Sequence, residues 1–151
     1  MADCIFCKIV EGKIPCAKVW EDDNFLAFLD IRPVTKGMTL VIPKKHHQSY
    51  IFNETDWDVS QLMKASREVA KMLEEAFDIS RVAVVAEGAG VNHLHIKLYP
   101  LHGFKEDFNT SFPKENMYFE NYPGYISTQR GPETNPSDIQ EIADFIINRN
   151  K

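Results

Sequence analysis

The chain has 151 residues, a formal net charge of −5 at pH 7, and a composition that is 44% hydrophobic and 26% charged. This length and composition are typical of one globular domain and exclude a disordered or fibrous chain. The acidic balance disfavours a nucleic-acid polymer as a partner, although it is compatible with a local basic pocket. The first fifteen residues lack a signal-peptide hydrophobic region and no apolar run reaches membrane-spanning length, so we expect a cytoplasmic protein without a membrane partner.

Five strands are predicted along the first hundred residues. AKVWED and FLAFLDI indicate a hairpin across an acidic turn at residues 22–24, and MTLVIPKK indicates a third strand that ends at Pro43. RVAVVAEG and NHLHIKLYP predict two further strands, which are joined by a turn around residues 88–90. Hairpins with few, segregated helices favour an α+β domain around an antiparallel sheet.

Two helices are predicted, one long and one at the C-terminus. Asn53 can cap the long helix, whose apolar stripe comprises Leu62, Ala65, Val69, Met72, Leu73 and Ala76. The last helix is predicted to begin at Pro136 behind an Asn135 cap. We assign residues 1–103 to the domain core. Residues 104–151 form a C-terminal extension, irregular and aromatic at first, whose terminal helix is expected to pack on the same domain.

The segment VNHLHIKLYP alternates polar and apolar residues. In a strand, this period of two predicts that His93, His95 and Lys97 lie on one face and the apolar residues on the other. A half-buried strand with a solvated polar face is the simplest interpretation. Two histidines at this spacing followed by a cation are also compatible with a site.

Cys4 and Cys7 form a Cys-x-x-Cys unit at the start of the chain. A redox dithiol would follow a strand in a βαβ unit, and nothing precedes Cys4 to form one, so metal binding is the favoured functional interpretation. The alternative is that both are incidental small apolar residues. A structural zinc site needs two further ligands, and the candidates are His46 or His47, His93, and, as a spare, His102.

Four blocks of the sequence resemble the histidine-triad (HIT) proteins, including their Hint-like and dinucleoside polyphosphate hydrolase-like members. They are CIFCKIVEGKIP, VWEDDNFLAFLDIRPVTKG, TLVIPKKH and HLHIKLYP, which run from Cys4 to about Pro100. The resemblance implies a five-stranded antiparallel sheet that continues across a homodimer. It also implies nucleotide hydrolysis or nucleotidyl transfer at the α-phosphate of a nucleoside phosphoramidate, a dinucleoside polyphosphate or a related nucleotide.

The resemblance also implies roles for individual residues. His95 matches the nucleophile that forms a covalent nucleotidyl intermediate, and Lys97, in place of the third histidine, is assigned to stabilising phosphate charge. Asp30 matches the acid that accepts hydrogen bonds from the ribose. Asn92 is assigned to substrate binding. The expected base pocket comprises Phe6, Ile9, Phe28 and Ile31, and for Phe28 and Ile31 an ordinary core role is equally open.

The chain departs from the family pattern around the phosphate. Lys97 replaces a histidine, Ala86 replaces the usual asparagine, and the phosphate loop is shortened to GAGVNH. These departures leave room for an alternative, a catalytically weak nucleotide-binding module that retains His95 and Asp30. A third hypothesis is a catalytic zinc hydrolase that uses His-x-His, but it needs another ligand and an open coordination position.

The galactose-1-phosphate uridylyltransferase branch of the superfamily also lacks the third histidine, and it holds zinc. By resemblance to that branch, one structural zinc per chain would be bound by Cys4, Cys7, His46 and His93. His47 competes with His46 for this role. The opposing hypothesis is that His93 only makes hydrogen bonds, as it does in zinc-free family members, and that both cysteines are free thiols.

Overall fold

The computed structural model describes residues 3–105, 117–128 and 131–149. The chain divides into two compact units, Met1–Glu106 and Asp107–Lys151. None of the described helices is long and apolar enough to cross a membrane. Part of the predicted aromatic, irregular segment, residues 106–116 and 129–130, lies outside the described residues. The assignment of a 1–103 core and a 104–151 extension to one domain stays a prediction.

The first unit is built on a five-stranded antiparallel sheet, which confirms the predicted α+β fold class. Its strands are β1 (Lys18–Glu21), β2 (Phe25–Leu29), β3 (Thr39–Pro43), β4 (Val82–Val85) and β5 (Ile96–Pro100), in the order β1-β2-β3-β5-β4. Strand β3 is buried along its whole length, because it lies in the middle of the sheet and four of its five residues are apolar. The one polar residue of this strand is Thr39, and its hydroxyl donates a hydrogen bond to the Gly37 carbonyl at 2.8 Å.

Three α-helices are described: α1 (Ile5–Val10), α2 (Asp56–Phe77) and α3 (Pro136–Arg149). The short helix α1 was not predicted. The predicted cap of α2 is wrong, because Asn53 ends a preceding 3₁₀ turn and the cap is Thr55. The Thr55 hydroxyl accepts a hydrogen bond from the backbone N–H of Asp58 at 3.2 Å, and this satisfies one of the free N–H groups of the first turn.

The buried stripe of α2 is narrower than predicted. Leu62, Ala65, Val69 and Leu73 are buried, whereas Met72 is 43% exposed and Ala76 is also exposed. Their helical positions place these two residues beside the stripe rather than on it. Ser66 takes a buried place instead, and its hydroxyl donates to the Leu62 carbonyl at 2.8 Å, so the buried group is satisfied.

The sheet carries a separate apolar cluster on each face. On one face, the α2 stripe packs against Ala27 and Val41 of the central strands. On the other face, Phe6 of α1 packs in a cluster with Leu26, Phe28, Leu40 and Ile42. Because side chains alternate along β2, Leu26 and Phe28 point away from Ala27 and toward α1. The α1 face is the one that receives the predicted site residues.

Strand β5 begins later than predicted. The prediction placed His93 and His95 in the strand, but it starts at Ile96. Ahead of it the backbone bonds outside the ladder, with Leu94 N–H donating to the His47 carbonyl at 3.0 Å. His93 and His95 are 0% and 2% exposed. The interpretation of a solvated polar face is therefore wrong for both histidines.

The C-terminal helix α3 begins at Pro136, as predicted. The Asn135 side chain contacts Asp138 of its first turn at 3.4 Å. Ile139, Ile142 and Ile146 of this helix are each more than half exposed. The packing of this helix on the first unit stays a prediction.

Candidate functional site

The four residues of the predicted metal site lie together. Cys4 Sγ is 3.4 Å from His93 Nδ1, and Cys7 Sγ is 3.3 Å from His46 Nδ1 and 3.6 Å from His93 Nδ1. One ligand atom from each of the four residues lies within 4.8 Å of the others. In a tetrahedral zinc site, sulfur and nitrogen ligands are separated by about 3.6 Å. The donor atoms and their spacing therefore fit one zinc ion.

Local structure explains how distant residues meet there. Cys4 caps α1 and Cys7 follows within its first turn, while His46 comes shortly after the end of β3. His93 Nε2 donates to the Pro43 carbonyl at 2.8 Å. Because one ring nitrogen of a neutral histidine carries the proton, Nδ1 then presents its lone pair to the two sulfurs.

The electrostatics of this cluster favour neutral groups until a cation binds. Burial lowers the pKa of His93, so its imidazole stays unprotonated. Partial burial, followed by the neighbouring Cys4, raises the pKa of the Cys7 thiol. A divalent cation reverses this preference, because it stabilises the thiolates that coordinate it.

The competing histidine, His47, lies outside this cluster. Its Nδ1 bonds with the Glu54 carboxylate at 2.6 Å, and a second group that can hold a metal comprises His47, Glu54 and Asp58. Each of these residues already has a partner, since Asp58 also accepts from the Thr55 hydroxyl at 2.6 Å. The structure therefore brings His46, not His47, to the two cysteines.

His95 is buried directly beside the cysteine–histidine cluster. Its Nδ1–H donates to the His93 backbone carbonyl at 2.7 Å, which leaves the Nε2 lone pair free of this bond. The Phe6 ring contacts the imidazole edge to face, with centroids 5.6 Å apart. Burial is the largest cause that lowers the His95 pKa, and the charge of Lys97 lowers it further. The arrangement presents a neutral, oriented imidazole.

Lys97 lies two residues beyond His95 and forms an ion pair that the sequence analysis missed. Its Nζ is 3.3 Å from Glu87 Oε2, and the two side chains are only 22% and 12% exposed. The signal was present in the predicted hairpin, because pairing RVAVVAEG with NHLHIKLYP brings Glu87 near the histidines. The exact register, with Val85 opposite Lys97, came only from the structure.

The predicted base-pocket residues separate into two groups. Phe6 and Phe28 are buried and contact each other edge to face at 5.6 Å, and the partly buried Ile9 packs on the same cluster. Of these three residues, Phe6 contacts the His95 ring directly. Ile31 is 91% exposed, so a core role is wrong for it. Its role in a base pocket stays a prediction.

Within the described part of the chain, each of the two polar residues predicted to bind substrate has a local hydrogen-bond partner. Asp30, partly exposed after β2, accepts a hydrogen bond from Arg32 N–H at 2.7 Å through Oδ1. The Asn92 side-chain carbonyl accepts from Ser49 N–H at 3.0 Å. These bonds orient both side chains and leave the second carboxylate oxygen of Asp30 and the NH₂ group of Asn92 for a ligand.

Comparison with known proteins agrees with this arrangement. The HIT domain family model matches residues 11–103. Protein hit of Bacillus subtilis is 35% identical over 152 residues, which cover 97% of this chain and 94% of that protein. Adenosine 5′-monophosphoramidase hnt1 of Schizosaccharomyces pombe is 37% identical over 98 residues, covering 64% of this chain and 73% of that protein.

The solved structure of SMU.412c from Streptococcus mutans has a TM-score of 0.70 at 31% identity, and the match covers 100% of this chain and 87% of that one. The family model spans more than half of the chain, and the Bacillus subtilis relative matches nearly all of it. The buried His95, the neighbouring His93 and Lys97 all lie within the matched region. The chain belongs to the histidine-triad (HIT) family.

Proposed function

We propose that the protein is a nucleotide hydrolase or nucleotidyl transferase that acts at the α-phosphate of a nucleoside phosphoramidate or a dinucleoside polyphosphate. The observation that carries this proposal is the hydrogen bond from His95 Nδ1–H to the His93 carbonyl at 2.7 Å. It fixes the tautomer with the lone pair on Nε2, and burial keeps the ring neutral. A neutral, oriented imidazole is the form that attacks phosphorus.

The reaction proceeds in two displacements. His95 Nε2 attacks the α-phosphorus, the Nε2–P bond forms, and the bond from phosphorus to the leaving amine or phosphate breaks. The leaving group takes a proton from water where its basicity requires one. In the second step water, or the hydroxyl of another acceptor, attacks the same phosphorus and loses a proton to solvent, and the P–Nε2 bond breaks to regenerate neutral His95. Lys97 stabilises the negative charge of the phosphoryl oxygens in both steps.

The remaining predicted residues position the nucleotide. Asp30 accepts hydrogen bonds from the ribose hydroxyls through its second carboxylate oxygen, and the Asn92 NH₂ group donates to a phosphate oxygen. The base lies over the apolar floor of Phe6, Ile9 and Phe28, and the exposed Ile31 covers it. Sequestration of the base in an apolar pocket with a few polar contacts is typical of nucleotide sites.

We also propose that Cys4, Cys7, His46 and His93 hold one structural zinc. Two thiolates and two imidazoles would fill all four positions of a zinc site and leave none open, so a bound ion would brace the segment that carries His95 rather than activate water. The catalytic-zinc hypothesis is disfavoured for the same reason. A reducing, cytoplasmic location would keep both thiols available, and a homodimer is the proposed assembly.

A trapping experiment tests the catalytic proposal. Purified protein is mixed with an adenosine phosphoramidate labelled at the α-phosphorus and quenched in alkali, where phosphohistidine bonds survive, and the label is located by peptide mass spectrometry. We expect an adenylyl adduct on His95 in the wild type and none in His95→Ala. His102→Ala, which removes an exposed imidazole, is the control that should behave as wild type. Wild-type turnover in His95→Ala would refute the mechanism.

The second candidate function is a nucleotide-binding module without turnover. The observation that favours it is the Lys97–Glu87 ion pair at 3.3 Å, because a paired lysine offers less charge to a phosphoryl group. This candidate predicts saturable nucleotide binding with no adduct on His95 under any of the trapping conditions.

A further inference from the structure

Glu87 has no role in the sequence analysis or in the mechanism above, yet it lies at the phosphate end of the site. Its carboxylate is 3.3 Å from Lys97 Nζ, and its side chain is only 12% exposed. A charge in such a place is screened less by solvent than a surface charge. Glu87 therefore acts on any phosphate that Lys97 contacts.

The sheet fixes where Glu87 lies. Strand β4 ends two residues before Glu87, and β5 begins one residue after His95, so both residues lie just beyond the same end of the paired ladder. Paired residues share a face, and residues two apart share it as well. Lys97 is paired with Leu40 of the α1-face cluster, His95 contacts Phe6 of that cluster, and Glu87 forms its ion pair with Lys97. All three residues therefore lie on the α1 side of the sheet.

The turn that follows holds this position. Gly88 has φ = +70°, and a Cβ atom there would lie 2.9 Å from the Ser49 carbonyl oxygen. A glycine at this point allows the left-handed conformation and the close approach of two backbones. The segment after Glu87 is therefore anchored to the loop that contains Ser49, and the carboxylate has a defined place.

The three charged side chains that act on the His95 ring carry a net negative formal charge before any nucleotide binds. Lys97 contributes one positive charge, whereas Glu87 and Asp30 contribute one negative charge each, and all three influence the His95 ring. The phosphate loop Gly88-Ala89-Gly90-Val91-Asn92 contains no cationic residue. Each further phosphate group of a bound nucleotide brings more negative charge close to Glu87 and Asp30.

We propose that Glu87 is a positioning residue that holds Lys97 beside His95 and limits the site to nucleotides with a short phosphate group of low charge. Resting on the proposed function, this favours nucleoside phosphoramidates or similar esters of a nucleoside monophosphate over dinucleoside polyphosphates. Lys97 serves the α-phosphate, and Glu87 repels the phosphates beyond it. The geometry of the Lys97–Glu87 pair carries the inference.

Binding measurements test this without requiring turnover. Affinities of AMP, ADP and ATP are measured by calorimetry at low salt, without added magnesium, for the wild type, Glu87→Gln, Glu87→Asp and Glu75→Gln. Glu75 is exposed on α2, the helix on the opposite face of the sheet, so this control changes the net charge equally. We expect wild type to bind ATP no more tightly than AMP. Glu87→Gln should raise the ATP-to-AMP affinity ratio by about fivefold to twentyfold.

Glu87→Asp and Glu75→Gln should leave that ratio close to the wild-type value, whereas a purely structural effect would change all three affinities together. An equal ratio in Glu87→Gln and Glu75→Gln overturns the proposal. A second measurement needs only the wild type. If the site repels nucleotides with more phosphate groups, raising the salt concentration should increase the ATP-to-AMP affinity ratio of the wild type. A fall in that ratio contradicts the inference, even where Glu87→Gln does not fold.

A kinetic comparison separates this proposal from the proposed function. The wild type is assayed with an adenosine phosphoramidate and with diadenosine tetraphosphate, and kcat/KM is compared. Preference for the phosphoramidate supports the inference, and preference for the polyphosphate overturns it while leaving the hydrolase function intact. If neither is turned over but the nucleotide affinities follow the expected order, the hydrolase function fails and the charge limit stands.

Discussion

Removal of zinc is the perturbation that tests the cysteine–histidine cluster most directly. Cys4 and Cys7 lie at the N-terminus, His46 follows β3, and His93 precedes β5. One ion bound to all four ties three separate parts of the chain together. Because the intact site exists only in the folded state, zinc binding adds to the free energy of unfolding, and a chelator removes that contribution.

The expected magnitude follows from the size of the unit and from mass action. Free zinc at a hundredfold excess over its Kd stabilises the folded state by about 2.7 kcal/mol. For a unit the size of Met1–Glu106, each kcal/mol corresponds to about 4–8 °C in Tm, so removal of zinc should lower Tm by roughly 10–20 °C. The observed sulfur–nitrogen distances of 3.3–3.6 Å already match a bound ion, so little rearrangement opposes binding.

The assay combines elemental analysis of untagged protein with thermal melts recorded with and without a chelator. Wild type should contain one zinc per chain, and Cys7→Ser should lose both the zinc and the chelator-sensitive stability. Cys16→Ser is the matched control, because Cys16 is a partly buried free thiol outside the cluster. His47→Ala tests the competing histidine and should retain the metal.

Two results would refute this reasoning. Zinc well below one per chain, with an unchanged Tm in the Cys7→Ser variant, would mean that the cysteines are free thiols and that His93 only makes hydrogen bonds. Loss of zinc in His47→Ala but not in His46→Ala would mean that His47, and not His46, is the fourth ligand.

Three further predictions concern ribose binding, assembly and charge. Removing both ribose hydroxyls from a bound nucleotide should weaken binding to wild type by about 1–3 kcal/mol and have little effect in Asp30→Asn; equal losses in both proteins would remove Asp30 from the site. Light scattering at micromolar concentration should give the mass of a homodimer, and a monomer mass would contradict that assembly. Lys18 and Lys44 lower the pKa of Glu21 to about 2. The stability contributed by the ionised Glu21 carboxylate should therefore be present above its unfolded-state pKa of 4.5 and be lost as the pH falls toward 2. Carboxyl NMR titration of wild type and Lys44→Met checks this, because Glu21 should titrate at a higher pH in the variant.

Periodicity was sufficient where one face of an element meets an apolar core. The strand around FLAFL follows the predicted alternation closely, with Ala27 on the α2 face and Leu26 and Phe28 on the α1 face. It failed where a local contact outweighs the pattern. Thr55, not the predicted Asn53, caps α2, because its hydroxyl accepts a hydrogen bond from the Asp58 N–H.

The sequence by itself determined the family, the α+β class and the residue types at the site, because these depend on short motifs and on alternation along the chain. It named Cys4 and Cys7 but left His46 and His47 open. Only the tertiary structure decided between them, since His47 pairs with Glu54 while His46 approaches Cys7. The same holds for Glu87, which lies ten positions before Lys97 in the chain and reaches it only through the β4–β5 register. Contacts between distant residues depend on strand pairing and loop geometry, which the pattern along one chain does not specify.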